Sequence, residues 1–207
     1  MRLLSAGLLA LLAAGCGPTE SLPEPPSVLE AGAARFHDRG PNDPRPALPR
    51  HYTDSDGRPV DLDAFRGRSR VVLVVMKGYV PRFGGFCPGC VAQVNALAAN
   101  ADAFKARGAE VLVLFPGAPD QLGPYLEQGK VDGRGGNPTV PFPILLDPGL
   151  AAVRALGIES ELAKPSTFIL DRDGRVVFGY VGDSQDSYDR PSVKAVLGQL
   201  DKLKDKR

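Results

Sequence analysis

Phe86-Cys87-Pro88-Gly89-Cys90 carries two of the three cysteines of this 207-residue chain, and the elements on either side of it fix the fold. Two cysteines three residues apart share one face when the first opens a helix. Their Cα atoms then lie about 5 to 6 Å apart, the separation a disulfide needs. The pair can therefore cycle between dithiol and disulfide without moving the backbone. Pro88 suits the first helical position, which puts Cys87 at or near the N-cap. Unpaired N–H groups and the positive end of the helix dipole stabilise a thiolate there, and a fall in pKa from about 8.5 to about 7 makes roughly half of the thiol anionic at neutral pH. Cys87 is the candidate nucleophile and Cys90 the resolving thiol. No Asp or Glu occurs from Ala64 to Ala101, whereas Arg66, Arg68, Arg70, Lys77 and Arg82 do, so the local field also favours an anionic Cys87.

Outward from the motif, Val71 to Met76 is a continuous apolar, β-branched run, as a central parallel strand would be. Before it, Asp54 to Gly57 reads as a turn and Pro59 to Leu62 as a short strand. A helix is expected from about Cys87 to Arg107, stopped by Gly108, then a second buried strand over Glu110 to Phe115. Residues 119 to 129 read as helical, 131 to 140 as a glycine-rich loop, and Pro148 to Leu156 as another helix. Pro165 to Leu170 and Val176 to Val181 flank an Asp-Gly turn, which predicts an antiparallel hairpin. Ser192 to about Lys204 closes the chain as a helix with Val193, Val196, Leu197 and Leu200 on one face. The expected class is α/β, a central mixed sheet with helices on both faces.

The composition is 43% hydrophobic and 24% charged, with a formal net charge of +1, which argues against a nucleic-acid partner. Arg2, the apolar run Leu3 to Ala14 and Ala13-Ala14-Gly15-Cys16 read as an export signal, too short to span a bilayer. The segment resembles a bacterial lipobox, which implies cleavage after residue 15 and a lipidated Cys16. Expected domains are then 1–15 signal peptide, 16–50 tether and 51–207 globular domain. The expected location is the cell envelope, on the periplasmic side, with Gly17 pointing to an outer membrane by analogy with lipoprotein sorting. The tether rests on eight prolines between residues 17 and 50 and the lack of apolar periodicity there. His37 and His51, the only histidines, are read as solvent-exposed residues of that linker.

Taken together, these pieces resemble the thioredoxin-like superfamily, specifically its alkyl hydroperoxide reductase/thiol-specific antioxidant branch (redoxin, peroxiredoxin-like). The carrying residues are Thr53-Asp54-Ser55-Asp56-Gly57-Arg58-Pro59-Val60, the strand before Phe86 to Cys90, Phe142-Pro143-Ile144-Leu145-Leu146-Asp147-Pro148, and Pro165 to Gly174. The resemblance implies a thioredoxin-like fold, a nucleophilic Cys87, a resolving Cys90 and a Pro165 matching the cis-proline that lies against the disulfide. The alternative for Pro165 is an ordinary trans proline opening a strand. Phe86, Pro88, Lys77 and Arg82 are the expected supporting residues. Two positions depart from peroxiredoxins: Gly84 stands where they place a Thr or Ser, and Pro165 near where they supply an arginine. Residues Tyr79 to Gly84 look like an insertion ahead of the motif. The reading placed first is a membrane-tethered thiol-disulfide oxidoreductase. A thiol peroxidase comes second, and a lipoprotein with a structural disulfide or a soft-metal dithiol third. No cofactor or resident metal is implied. The expected partners are a redox protein and a disulfide or peroxide substrate.

Overall fold

Strand β3, Arg70–Val75, sits near the middle of the sheet, because all six of its residues are buried and both its faces need cover. Val72, Val74 and Met76 face one side and Val71, Leu73 and Val75 the other, the alternation a pleated strand imposes. A computed structural model describes residues 33–43, 47–80, 85–128 and 140–203, with backbone alone at Val80, Gly85, Phe86 and Gln128. Cys16, Arg82, Gly84 and the glycine-rich loop over 131–139 lie outside the described residues.

The remaining strands are β1 His51–Asp54, β2 Pro59–Asp61, β4 Tyr79–Val80, β5 Gly85–Phe86, β6 Ala109–Pro116, β7 Ile144–Asp147, β8 Ser166–Leu170 and β9 Val176–Val181. Six of them join β3 in one sheet of seven strands, in the order β2-β1-β7-β6-β3-β8-β9. β3 pairs parallel with β6 and antiparallel with β8, and β6 pairs parallel with β7, so the sheet is mixed. The helices are α1 Pro88–Ala99, α2 Ala101–Lys105, α3 Leu122–Gln128, α4 Ala151–Ala155 and α5 Val193–Lys202. α1, α2, α3 and α5 contribute Val91, Phe104, Tyr125 and Val196 to the core on one face. α4 and the 3-10 turn Leu62–Phe65 cover the other with Val153 and Leu62. Among the described residues no helix is long and apolar enough to cross a membrane.

Several expectations change. The helix expected over 87–107 is two helices: Asn100, with φ −112° and ψ 15°, ends α1 and precedes α2. β7 was not foreseen as a strand. Its burial is continuous at Ile144 and Leu145, but four residues between Pro143 and Pro148 carry no readable period. Tyr79 to Phe86 forms a two-stranded ribbon in which Tyr79 pairs with Phe86. The tether is corrected more substantially. Residues 33–43 and 47–50, expected to be linker, pack on the domain: His37 N donates to Arg190 O at 3.0 Å, Asn42 N to Gly179 O at 3.1 Å, and Leu48 is buried. Few apolar residues are needed for this, because backbone and polar side-chain bonds hold the segment. Sequence periodicity is blind to such bonds.

Candidate active site

α1 begins where the sequence asks it to. Pro88 is the first helical residue and Cys87 the N-cap, with φ −64° and ψ 118°. Cys90 N and Val91 N both donate to Cys87 O, at 3.0 and 3.2 Å. The helix is apolar nearly all round, so its start is driven into the core beneath the carboxyl end of β3. Cys87 and Cys90 are 0% and 1% exposed, both as free thiols.

The cation at these sulfurs is Arg190. Its Nη2 donates to Cys90 Sγ at 3.1 Å and Cys87 Sγ at 3.4 Å; Nη1 donates to Gln93 Oε1 at 2.6 Å and Nε to Ser187 O at 2.8 Å. Gln93, one turn along α1, bonds Thr167 Oγ1 of β8 at 3.4 Å and is itself held in place. Arg190 is 1% exposed, and among the described residues no carboxylate stands among its hydrogen-bond partners. A buried cation without a counter-charge costs several kcal/mol, so the negative charge here belongs on sulfur.

The two thiols divide that role. Hydrogen bonding from Cys90 and the Arg190 charge outweigh burial at Cys87 and pull its pKa down to about 5, aided by Ser187 and the Cys90 amide. Burial first, then the neighbouring Cys87, push Cys90 well above the ordinary thiol range. Cys87 is the thiolate and Cys90 the thiol that donates to it. The direction agrees with the reading from sequence, but the cause does not. Arg66 pairs with Asp63 at 3.0 Å and Arg70 bonds the carbonyls of Arg107 and Leu203, so neither supplies the charge at the sulfurs.

Lys77 supports the site differently from the expectation. Its backbone N–H donates to Cys90 Sγ at 3.2 Å, while Nζ bonds the Ser184 carbonyl. Phe86 lies in β5, next to the motif, with its backbone alone described. Pro165 is corrected: no cis peptide bond occurs among the described residues, so the match to a cis-proline fails. Its carbonyl instead accepts from Gly182 N at 2.8 Å, which carries the β8–β9 pairing one step beyond the Ser166–Val181 pair. The stretch from Gly182 to Arg190 then crosses the dithiol, and a Cβ at Gly89 would run into the Ser187 carbonyl. Arg190 was missed from sequence because it lies 100 residues beyond Cys90, in a loop of Asp, Ser and Tyr that reads as solvated turn. Its only signal was adjacency to Pro191-Ser192 at the start of the closing helix.

Solved structures share this fold. A peroxidoxin, BcpB, from Mycobacterium tuberculosis matches with a TM-score of 0.59 at 20% identity, over 81% of this chain and 99% of that one. The peroxiredoxin Q of Xanthomonas campestris matches with a TM-score of 0.57 at 20% identity, over 76% of this chain and 96% of that one. These likenesses show the fold alone, a thioredoxin-like α/β fold of the kind these peroxiredoxins have. By sequence the chain belongs to the Redoxin family, whose model matches residues 41–197. Among curated relatives, the chloroplastic peroxiredoxin Q of Sedum lineare is 28% identical over 131 residues, covering 61% of this chain and 62% of that protein. The chloroplastic peroxiredoxin Q of Oryza sativa subsp. japonica is 30% identical over 131 residues, covering 61% of this chain and 53% of that protein. The chain thus spans between half and two thirds of the length of these relatives.

Proposed function

We propose that the chain is a thiol peroxidase in which Cys87 attacks peroxide and Cys90 resolves the product. The Arg190 guanidinium on both sulfurs carries this reading. The Cys87 thiolate attacks the terminal oxygen of ROOH, the O–O bond breaks, and RO⁻ leaves and is protonated to ROH, giving Cys87 sulfenic acid. Cys90 sulfur then displaces water from that sulfenic acid and forms the disulfide. Two electrons and two protons from an external dithiol restore the pair. Charge develops on the leaving oxygen in the first step, and a fixed donor there is worth about 3 kcal/mol, a factor near 100. With Gly84 and Pro165 offering no side-chain donor, the sequence placed peroxide chemistry second. Arg190 fills that gap from a different part of the chain.

Thiol-disulfide exchange on exported proteins, placed first from sequence, loses support on two counts. Cys87 is 0% exposed, a position a small peroxide reaches with less rearrangement than a protein disulfide does. The Pro165 carbonyl already accepts from the chain's own Gly182 N at 2.8 Å, which leaves it unavailable to an extended substrate strand. Exchange remains the step by which a redox partner re-reduces the pair. The test is a side-by-side assay of hydrogen peroxide and alkyl hydroperoxide consumption against dithiol-driven reduction of a protein disulfide. We expect peroxide consumption to dominate and Arg190→Met to reduce it about 100-fold. Faster disulfide reduction, unaffected by Arg190→Met, would refute the peroxidase reading.

We also propose export and lipid anchoring through Cys16, on the strength of Ala13-Ala14-Gly15-Cys16 after an apolar run. Cys16→Ser should shift the protein to the soluble exported fraction or leave it unprocessed. Unchanged membrane partitioning and processing would exclude the anchor.

A further inference from the structure

Arg190 sits in a loop, where a side chain is ordinarily free to move, and yet its guanidinium is fixed against two sulfurs. What fixes the loop is the segment just before the expected start of the domain. His37 N donates to Arg190 O at 3.0 Å and Ser192 N donates to His37 O at 2.8 Å, so a single parallel bridge grips the backbone on both sides of Arg190. The neighbouring side chain, Asp189, gathers four further groups. Its Oδ1 accepts from His37 Nε2 at 2.8 Å, Tyr180 OH at 2.7 Å and Arg39 Nη1 at 3.3 Å, and its Oδ2 accepts from Asp183 N at 2.8 Å. Arg39 N donates to His37 Nδ1 at 3.2 Å, which leaves Nε2 as the protonated nitrogen facing Asp189. The His37 ring packs on Tyr180 with centroids 4.7 Å apart, and the Arg35 guanidinium lies 3.6 Å over the Tyr188 ring. His37 and Asp189 side chains are only 16% and 15% exposed.

This arrangement is more than a surface ion pair. A carboxylate shielded from water and satisfied by four donors holds its geometry through several charge-assisted bonds at once. Its donors come from three separate places: the N-terminal segment, β9 and the loop itself. Resting on the peroxidase reading of the dithiol, we propose that His37 and Asp189 are positioning residues that hold the Arg190 guanidinium on the Cys87 and Cys90 sulfurs. The segment 33–43 is in this view a working part of the active site, and its loss would leave a folded sheet with a misplaced cation.

The test is site-resolved alkylation of the full-length dithiol protein against pH, with the modified cysteine identified by mass spectrometry, alongside thermal unfolding of each variant. His37→Ala should raise the Cys87 midpoint by about one unit, as expected for moving a unit charge from 3–4 Å to beyond 6 Å in a partly shielded site. His37→Gln, whose amide nitrogen can replace Nε2 as donor, should restore most of the shift. Tyr180→Phe, which removes a second donor to Asp189, should move the midpoint in the same direction by less. A midpoint unchanged in both His37→Ala and Tyr180→Phe, while Arg190→Met raises it, would overturn the positioning role and leave the site reading intact. A midpoint that rises in His37→Ala but is not restored by His37→Gln would also overturn it, since the effect would then come from general loosening. If Arg190→Met itself left the Cys87 midpoint in place, the electrostatic reading of the site would fail, and the positioning role with it.

Discussion

Arg190 is the largest fully buried side chain among the described residues, and its burial is tolerable because the Cys87 thiolate balances it. The same balance makes the reduced protein's stability depend on pH. Cys87 titrates at about 5 in the folded chain against 9.0 for an ordinary thiol, so the unfolded chain holds the extra proton between those values. The contribution is complete above the unfolded value, shrinks as pH falls through the window, and is gone below about 5. Cys90, pushed the other way, begins to cost stability once the unfolded thiol ionises above 9.0. The reduced protein should therefore gain stability over Cys87→Ser as pH rises from 5 to 9. Denaturant unfolding of the two proteins across that range measures the gain, and a constant difference would contradict the charge assignment.

At the scale of elements, the site is where α1 meets the loop from Gly182 to Arg190. Gly89 is the contact point: its φ is ordinary, but the Ser187 carbonyl occupies the space a Cβ would take. Gly182 is constrained in the same way by the Asp189 carbonyl. We expect Gly89→Ala to lift the loop off the helix start, at a cost of about 1–3 kcal/mol typical of overpacking. Thermal unfolding should register the cost, and Cys87 alkylation at a pH above its midpoint should accelerate as cover is lost. A variant with wild-type stability and slower alkylation would show that the loop does not cover the sulfur. The loop also stiffens itself with Asx turns, Gln185 N donating to Asp183 Oδ1 and Tyr188 N to Asp186 Oδ1, each at 2.8 Å.

Across the whole molecule, the sheet separates the chemistry from much of the packing. Cys87 and Cys90 belong to the core on the α1 face, and Leu73, fully buried on β3, to the core on the other. Leu73→Ala should lower stability by about 2–5 kcal/mol and leave the Cys87 midpoint unchanged, since the sheet lies between them. A shifted midpoint would mean that the two faces are coupled. The sequence alone was enough for the parts whose cause is local. Val71 to Met76 has to be a buried strand because nothing in it tolerates water, Cys87-Pro88 has to open a helix because proline has no N–H to lose there, and the Asp-Gly turn after Leu170 has to reverse the chain. Tertiary structure decided what arises between residues far apart: Arg190 as the charge on the sulfurs, His37 as its brace instead of a linker residue, and Gly182 on the carbonyl of a Pro165 that is not cis. Each of these depends on a polar bond between separate segments of the chain. Such contacts leave no period, spacing or composition in the segments that make them.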